Sequence, residues 1–499
     1  MYIKMDVSEY FETLFNNNST ALTLNYTNIL TFCKYPQICE FSNTQSKNYM
    51  CTECKNNPAH IDILDRRFWC EIVSDKNKCF FCCLSKAYVR LDSIIDHLCY
   101  MLVHCHKLKS LVLSGGLVNA TQVGQICLAI TSDSRLEYLN LKALNLSCGD
   151  CGTISIGQML KTNTSLKKLN LSCNRLTSSD LASITQNLKY NSCLLSLNIS
   201  KNYIDYGGCI LMADALISNT SLTSCHMGTN YITKRFGDND DSPIAYNDNG
   251  LRELCNALIK NNTLEILKLG FCGIDNMGSK WIGKCLKNNT SLRLLDVSSN
   301  NIDDNGCMYI SNGIKMNNTL KRLKLSNNKI TNIIDIADAI KSNNRCNIDV
   351  LDIGKNNINS SMQYISDMLM TNTSITSLNL QKVSMDVHGL RWLYRSLKTN
   401  KIIIDLNLSN NDLDADALPL IRKILLRNNL TSLNVVDNHF EMDDVILDCL
   451  KSNYTLLHLN YNGIDIGGIE KINSCTNRNY INRKYKTCLL LEMLCTDEW

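Results

Sequence analysis

The sequence predicts an α/β solenoid: stacked strand-plus-helix units, a parallel sheet on the concave side, helices on the convex side, and a Cys-rich N-terminal cap. Three observations predict it. The first is a repeated eleven-residue pattern, L-x-x-L-x-L-x-x-N-x-L, seen as LKKLNLSCNRL from Leu166, LLSLNISKNYI from Leu194 and LRLLDVSSNNI from Leu292. It returns as LKRLKLSNNKI from Leu320, IDVLDIGKNNI from Ile348 and LTSLNVVDNHF from Leu430. Weaker copies start at Leu108, Leu136, Leu222, Leu264, Ile375, Ile403 and Leu456. The second is the spacing: successive starts lie 26 to 30 residues apart, except for one interval of 42. The third is a change of period inside each unit, from strand-like alternation to a helical face. Self-similarity at such a period marks a stack, because one unit cannot bury its own apolar side.

Composition narrows the setting. The chain has 499 residues, and 51 Lys and Arg against 47 Asp and Glu leave a net charge of +4. That balance does not point to nucleic acid. Met1 to Phe15 holds Lys4, Asp6, Glu9 and Glu12 with no apolar core, so no signal peptide is read there. No run of 18 apolar residues is present, so no membrane partner is expected. The 26 cysteines include Cys127, Cys209, Cys255, Cys285 and Cys449 inside apolar helical segments, where a thiol acts as a small hydrophobe. The expected setting is cytoplasmic and reducing. Asn-x-Ser/Thr sequences at Asn163, Asn219, Asn289, Asn372 and Asn453 each stand three residues before a repeat. Their constant phase fits turn chemistry rather than glycosylation.

Residues 1–107 are expected as a Cys-rich region with a capping helix. Ala21 to Ile29 is a possible degenerate repeat, with Leu22, Leu24 and Ile29 at the right spacing. Cys51-x-x-Cys54 and Cys79-x-x-Cys82 are separated by 24 residues and suit a tetrahedral zinc ion. Thiols packed in a small helical cap are the competing reading, since Cys148-x-x-Cys151 shows the same motif inside a repeat. No other cofactor is expected. Tyr88 to Leu102 reads as an amphipathic helix, with Leu91, Ile94, Ile95, Leu98, Met101 and Leu102 on one face.

The repeats claim residues 108–470. Within each, the L-x-L core is a short strand whose alternate side chains point inward. The ninth-position asparagines (Asn174, Asn202, Asn230, Asn300, Asn328, Asn356, Asn411 and Asn438) are expected to donate to carbonyls of adjacent turns. Gly116, Leu144, Cys272, Val383 and Ile464 interrupt that ladder. The second half of each unit is helical by period, as in Gly207 to Leu216. The motif is that of the leucine-rich repeat, and a 28-residue strand-plus-helix unit resembles the ribonuclease-inhibitor type. The phrase Leu286-x-x-Asn289-x-x-Leu292-x-x-Leu295 is similar to the sensor arrays of NOD-like receptors, although no Walker A motif accompanies it. The resemblance covers about 360 residues and implies a horseshoe that binds another protein.

The 42-residue interval carries a surplus segment, Lys234 to Gly250, with Asp238, Asp240, Asp241 and Asp248. Their order does not match an EF-hand, so a solvated acidic loop is expected. On the open face, the residue between the two inward leucines is Asn in most repeats but becomes Lys268, Asp296, Lys324 and Asp352 at the centre. Glu265, Arg293, Lys321, Arg322 and Asp349 stand around them, with Ile266, Leu294 and Val350 as apolar neighbours. Mixed charge with exposed apolar side chains is the makeup of a protein-binding patch, and Arg293, Leu294 and Arg322 are its expected anchors. The competing reading is a set of opposite charges pairing across strands. Residues 471–499 are expected as a cap or tail containing CLLLEMLC.

No Ser/His/Asp set, H-E-x-x-H or phosphate loop is found, so no catalysis is expected. The function predicted is a non-catalytic binding protein: an inhibitor, adaptor or immune-signalling modulator. Two alternatives stand beside it. Ran GTPase-activating proteins use a similar array, which would put Arg293 or Arg322 near a phosphate. A ubiquitin-ligase adaptor would dock its ligase through residues 1–107.

Overall fold

A computed structural model describes residues 21–24, 95–96, 98–100, 102–103, 108–113, 118–130, 135–147, 151–233, 248–427, 429–441, 444–461 and 474. The chain divides into two compact units, residues 1–198 and 199–499.

In the first unit, β1 (Ala21–Leu24), β2 (Ser110–Leu113), β3 (Tyr138–Asn140), β4 (Lys168–Asn170) and β5 (Ser196–Asn198) pair in parallel in sequence order. Between them run α1 (Ala120–Ala129), α2 (Cys151–Thr162) and α3 (Ser178–Leu188). The degenerate copy at residue 21 is a true repeat strand: Leu22 and Leu24 stand in register with Leu111 and Leu113. Residues 95–96, 98–100 and 102–103 are helical, with Ile95, Leu98 and Leu102 buried and Tyr100 exposed, as the amphipathic pattern requires. Cys51, Cys54, Cys79 and Cys82 lie outside the described residues. So does most of the surplus segment, residues 234–247.

The second unit repeats the plan. Its elements are α4 (Tyr206–Ser218), β6 (Ser224–His226), α5 (Asn249–Lys260), β7 (Ile266–Lys268), α6 (Asn276–Asn288), β8 (Leu294–Asp296) and α7 (Asp304–Ile314). They continue with β9 (Arg322–Lys324), α8 (Ile334–Ser342), β10 (Val350–Asp352), α9 (Met362–Leu369), β11 (Ser377–Asn379) and α10 (Val387–Leu397). The series ends with β12 (Asp405–Asn407), α11 (Leu418–Leu425), β13 (Ser432–Asn434), α12 (Asp444–Lys451) and β14 (His458–Asn460). All neighbouring strands from β6 to β14 are parallel.

The local chemistry explains why each unit closes as it does. Leu267, Leu269, Leu295, Val297, Leu323 and Leu325 turn inward from the strands and are buried. The chain then leaves the strand through a residue in the left-handed region, such as Phe271 (φ 61°), Ser299 (φ 56°), Asn327 (φ 55°) or Lys355 (φ 55°). One residue later comes the ladder asparagine. Asn300 Nδ2 donates to Leu269 O (3.0 Å) and Val297 O (2.8 Å), and its Oδ1 accepts from the Cys272 (2.9 Å) and Ile274 (3.0 Å) amides. Asn356 and Asn411 bond in the same way. Where Cys272 replaces Asn, its thiol donates weakly to Met227 O (3.5 Å), so the ladder is thinned there rather than broken.

Four of the described helices, α4, α6, α7 and α10, start on an aspartate cap. Asp275 Oδ1 accepts from the Gly278 amide (3.0 Å) and Asp386 Oδ1 from the Gly389 amide (2.8 Å). Of these, α4 and α6 end on the phased asparagines. Asn289 Oδ1 accepts from the Leu292 amide (2.7 Å), and its Nδ2 donates to Leu258 O (2.6 Å) in the preceding repeat. Asn163, Asn219, Asn289 and Asn453 are buried, as turn chemistry requires and a glycan would not allow.

Candidate functional site

Constant register sets the open face of the second unit. Lys268 stands beside Asp296, Asp296 beside Lys324, Lys324 beside Asp352 and Asp352 beside Asn379. Two residues earlier, Ile266, Leu294, Arg322 and Val350 form a second row in the same register. Glu265, Arg293, Lys321 and Asp349 enter the strands just before that row. All ten residues expected in the patch are therefore brought onto β7–β10 or their entries.

The structure assigns these side chains unequal duties. The four alternating charges of this row do not pair with one another: among the described residues, no ion pair within 4.0 Å joins Lys268, Asp296, Lys324 and Asp352. The carboxylates turn to the backbone instead. Asp296 Oδ1 accepts from the Ser298 amide (3.0 Å). Asp352 accepts from Asn379 Nδ2 (2.8 Å), Ser326 Oγ (3.1 Å) and the Gly354 amide (3.3 Å). Asn379, Asn407 and Asn434 hold the same turn, accepting from the Gln381 (3.0 Å), Ser409 (3.0 Å) and Val436 (3.2 Å) amides. The asparagine monotony of this row is thus an Asx turn at each strand end, worth about 0.5–1.5 kcal/mol per bond.

Lysine cannot accept a hydrogen bond, so Lys268 and Lys324 give that turn up. Among the described residues, neither they nor Lys321 and Arg322 have an ion-pair partner within 4.0 Å. Arg293 differs. Its Nε lies 3.4 Å from Glu265 Oε2, a partly exposed pair that ties two strand entries together. Half-buried Asp349 keeps a buried Oδ1 without a hydrogen bond among the described residues.

One expected anchor is corrected. Leu294 exposes only 8% of its surface, so it floors the patch between Ile266 and Arg322 rather than projecting from it. One residue beside the patch was missed. Phe271, three positions after Lys268, is 64% exposed and adopts φ 61°, an uncomfortable conformation for an aromatic residue. The signal was available as an aromatic at a position otherwise filled mostly by small, polar or basic residues. His226 also occupies the Asx row. Its Nε2 lies 3.1 Å from Ser224 Oγ, and burial, then Lys268, depress its pKa while Asp296 opposes them.

Two other features are self-satisfied. A shallow depression of about 380 Å³ lies on β11–β14, lined by Gln381, Asn410, Asn434 and Asp437 among others. Its amides are engaged with one another: Gln381 Nε2 donates to Asn410 Oδ1 (3.3 Å) and Asn410 Nδ2 to Asp437 Oδ2 (2.6 Å). On the helices, the Trp281 ring is covered by Arg252 and Lys284, at 5.9 and 5.5 Å from its centre. Among the described residues no group of three or more His, Cys, Asp or Glu is placed to hold a metal, and no helix is long and apolar enough to cross a membrane.

A family profile described as Leucine Rich repeat matches residues 162–184, 190–213, 260–278, 288–311 and 317–333. No curated protein matches the chain. Among solved structures, the chain is similar to actin-binding site 2 of leiomodin-1, at 24% identity over 32% of this chain and 95% of that one (TM-score 0.29). It is also similar to an internalin from Listeria monocytogenes, at 16% identity over 72% and 82% (TM-score 0.36). A third likeness is to the complex of Rad7 and Elc1 in yeast, at 14% identity over 76% and 88% (TM-score 0.44).

Proposed function

We propose that this leucine-rich repeat protein is a non-catalytic, cytoplasmic binding protein that holds another protein on the open face of β7–β10. Its class is inhibitor, adaptor or immune-signalling modulator, built on repeats of the ribonuclease-inhibitor type similar to those of NOD-like receptors. A full helix between most neighbouring strands, such as the 13-residue α6, supports that type. One observation carries the functional reading. Lys268, Arg322 and Lys324 gather on one face, with Lys321 at the entry to β9, and none of the four has an ion-pair partner within 4.0 Å among the described residues. Surface cations that do not serve the fold are available to a partner. The GTPase-activator reading draws on Arg293 and Arg322, but Arg293 is already held by Glu265.

The test compares two substitutions at the same repeat position. Proteins captured from cytosol on the full chain are identified, and binding of the purified partner is measured. Arg322→Glu should weaken it by at least about 2 kcal/mol. Ser432→Glu, on the same face four strands away, should change it by less than about 0.5 kcal/mol. Equal losses at both positions would remove β7–β10 from the interface.

A further inference from the structure

The turn at the strand end separates residues kept for the fold from residues kept for something else. In the second unit, Asp296, Asp352, Asn379, Asn407 and Asn434 each accept the amide two residues on. Lys268 and Lys324 occupy the same position, in register on either side of Asp296, and make no such bond. A local rule broken without a compensating contact is expected where a site is being built. The two lysines are two strands apart, about 10 Å at ordinary strand spacing. Arg322 lies on the same face two residues before Lys324, and exposed Phe271 follows Lys268 by three.

We infer that this face recognises an acidic segment of the partner protein, with two carboxylates about 10 Å apart meeting Lys268 and Lys324 and an apolar side chain against Phe271. The inference rests on the binding role proposed above and names the chemistry of the partner. The charge pattern selects this occupant. Asp296 and Asp352 interleave with the lysines, so a continuous polyanion such as nucleic acid would meet repulsion at every second strand. Discrete carboxylates at two-strand spacing meet only the cations. Asp296 Oδ1 and both oxygens of Asp352 already accept from backbone or side-chain donors, whereas among the described residues the Lys268, Arg322 and Lys324 side chains have no acceptor. A helix supplies the spacing directly, because residues seven apart share a face at a rise of about 10.5 Å.

The experiment uses the full chain and a labelled 15-residue helical peptide with Glu at positions 4 and 11 and Leu between them on the same face. Controls are the same peptide with Lys at both positions, and inorganic phosphate as competitor. The Glu peptide should bind, and the Lys peptide at least about tenfold more weakly. Lys268→Asn/Lys324→Asn restores the turn residue, so it should weaken the Glu peptide at least about tenfold while its denaturation midpoint holds or rises. No binding of the Glu peptide to the natural chain, equal binding to the double variant, or equal binding of the Lys peptide would overturn the inference. Complete displacement by millimolar phosphate would do so too, by exposing a simple anion site. Failure here is distinguishable from failure of the binding role. A captured partner lost with Arg322→Glu but indifferent to Lys268→Asn/Lys324→Asn keeps the face and refutes acidic recognition; one indifferent to both refutes the face.

Discussion

Asn300 and Asn379 look alike in the repeat alphabet but stand in different surroundings. Asn300 is buried and joins two strand exits through five backbone partners. Removing its amide leaves those groups stranded, so Asn300→Ala should cost about 1–3 kcal/mol, and Asn328→Ala a similar amount. Alternation marks Asn379 as solvent-facing and hence dispensable, yet its Oδ1 takes the Gln381 amide and its Nδ2 reaches Asp352. Asn379→Ala should therefore cost about 1 kcal/mol. Denaturant midpoints at unchanged slope would measure all three; a loss under about 0.3 kcal/mol at Asn379 would show its turn to be redundant. Asp248 behaves in the opposite sense. Burial first, and then Asp275, raise its carboxyl above the ordinary value. A raised folded pKa stabilises only below the unfolded value of about 3.9 and is lost as pH rises through the folded one. Asp248→Asn should accordingly raise stability at pH 7, and the advantage should vanish as the pH falls below about 3.9.

At the scale of elements, α6 and α7 approach through glycine. A methyl group at Gly283 would run into the Tyr309 carbonyl oxygen, and one at Gly313 would sit 2.5 Å from Gly283 O and 2.8 Å from Leu286 Cβ. Backbone cannot yield as a side-chain tip does, so Gly283→Ala should cost about 3 kcal/mol or more, the upper end of overpacking. Gly124→Ala, which meets only the movable Ser155 hydroxyl at 3.1 Å, should cost far less. Hydrogen exchange across α6 and α7 would report the difference; equal protection in both variants would mean the helices can slide apart. These glycines show where sequence reading stops. Strand phase, helix placement and the Asn300 ladder were legible because a periodic constraint repeats itself in the letters. The Asx role of Asn379, the burial of Leu294 and the ion pair of Arg293 with Glu265 were not. Each depends on what the neighbouring repeat supplies at the same register, and alternation within one strand is silent on that.

For the molecule as a whole, the 26 cysteines offer a test that separates the repeats after β2 from the segment that joins β1 to β2 in sequence. Thirteen are described, and all are free thiols. Cys209, Cys225, Cys255, Cys272, Cys285 and Cys307 are buried in the second unit. Desolvation pushes Cys225 and Cys272 up to about 12, and a hydrogen bond to Cys285, then burial, raises Cys255. Thiolate is the reactive form, so these residues should resist alkylation at pH 8 until the repeats open. Cys51, Cys54, Cys79 and Cys82 are proposed as zinc ligands, and a metal-bound thiolate is protected for a different reason, one that a chelator removes. In reducing buffer the full chain should carry about one equivalent of zinc. Chelation should then expose those four thiols to iodoacetamide, read by peptide mass mapping, while Cys209 to Cys307 stay protected. Protection of the four unchanged by chelator, in a chain without zinc, would make them packed thiols. Simultaneous exposure of both groups would mean that the metal holds the repeats after β2 as well as the segment that carries its ligands.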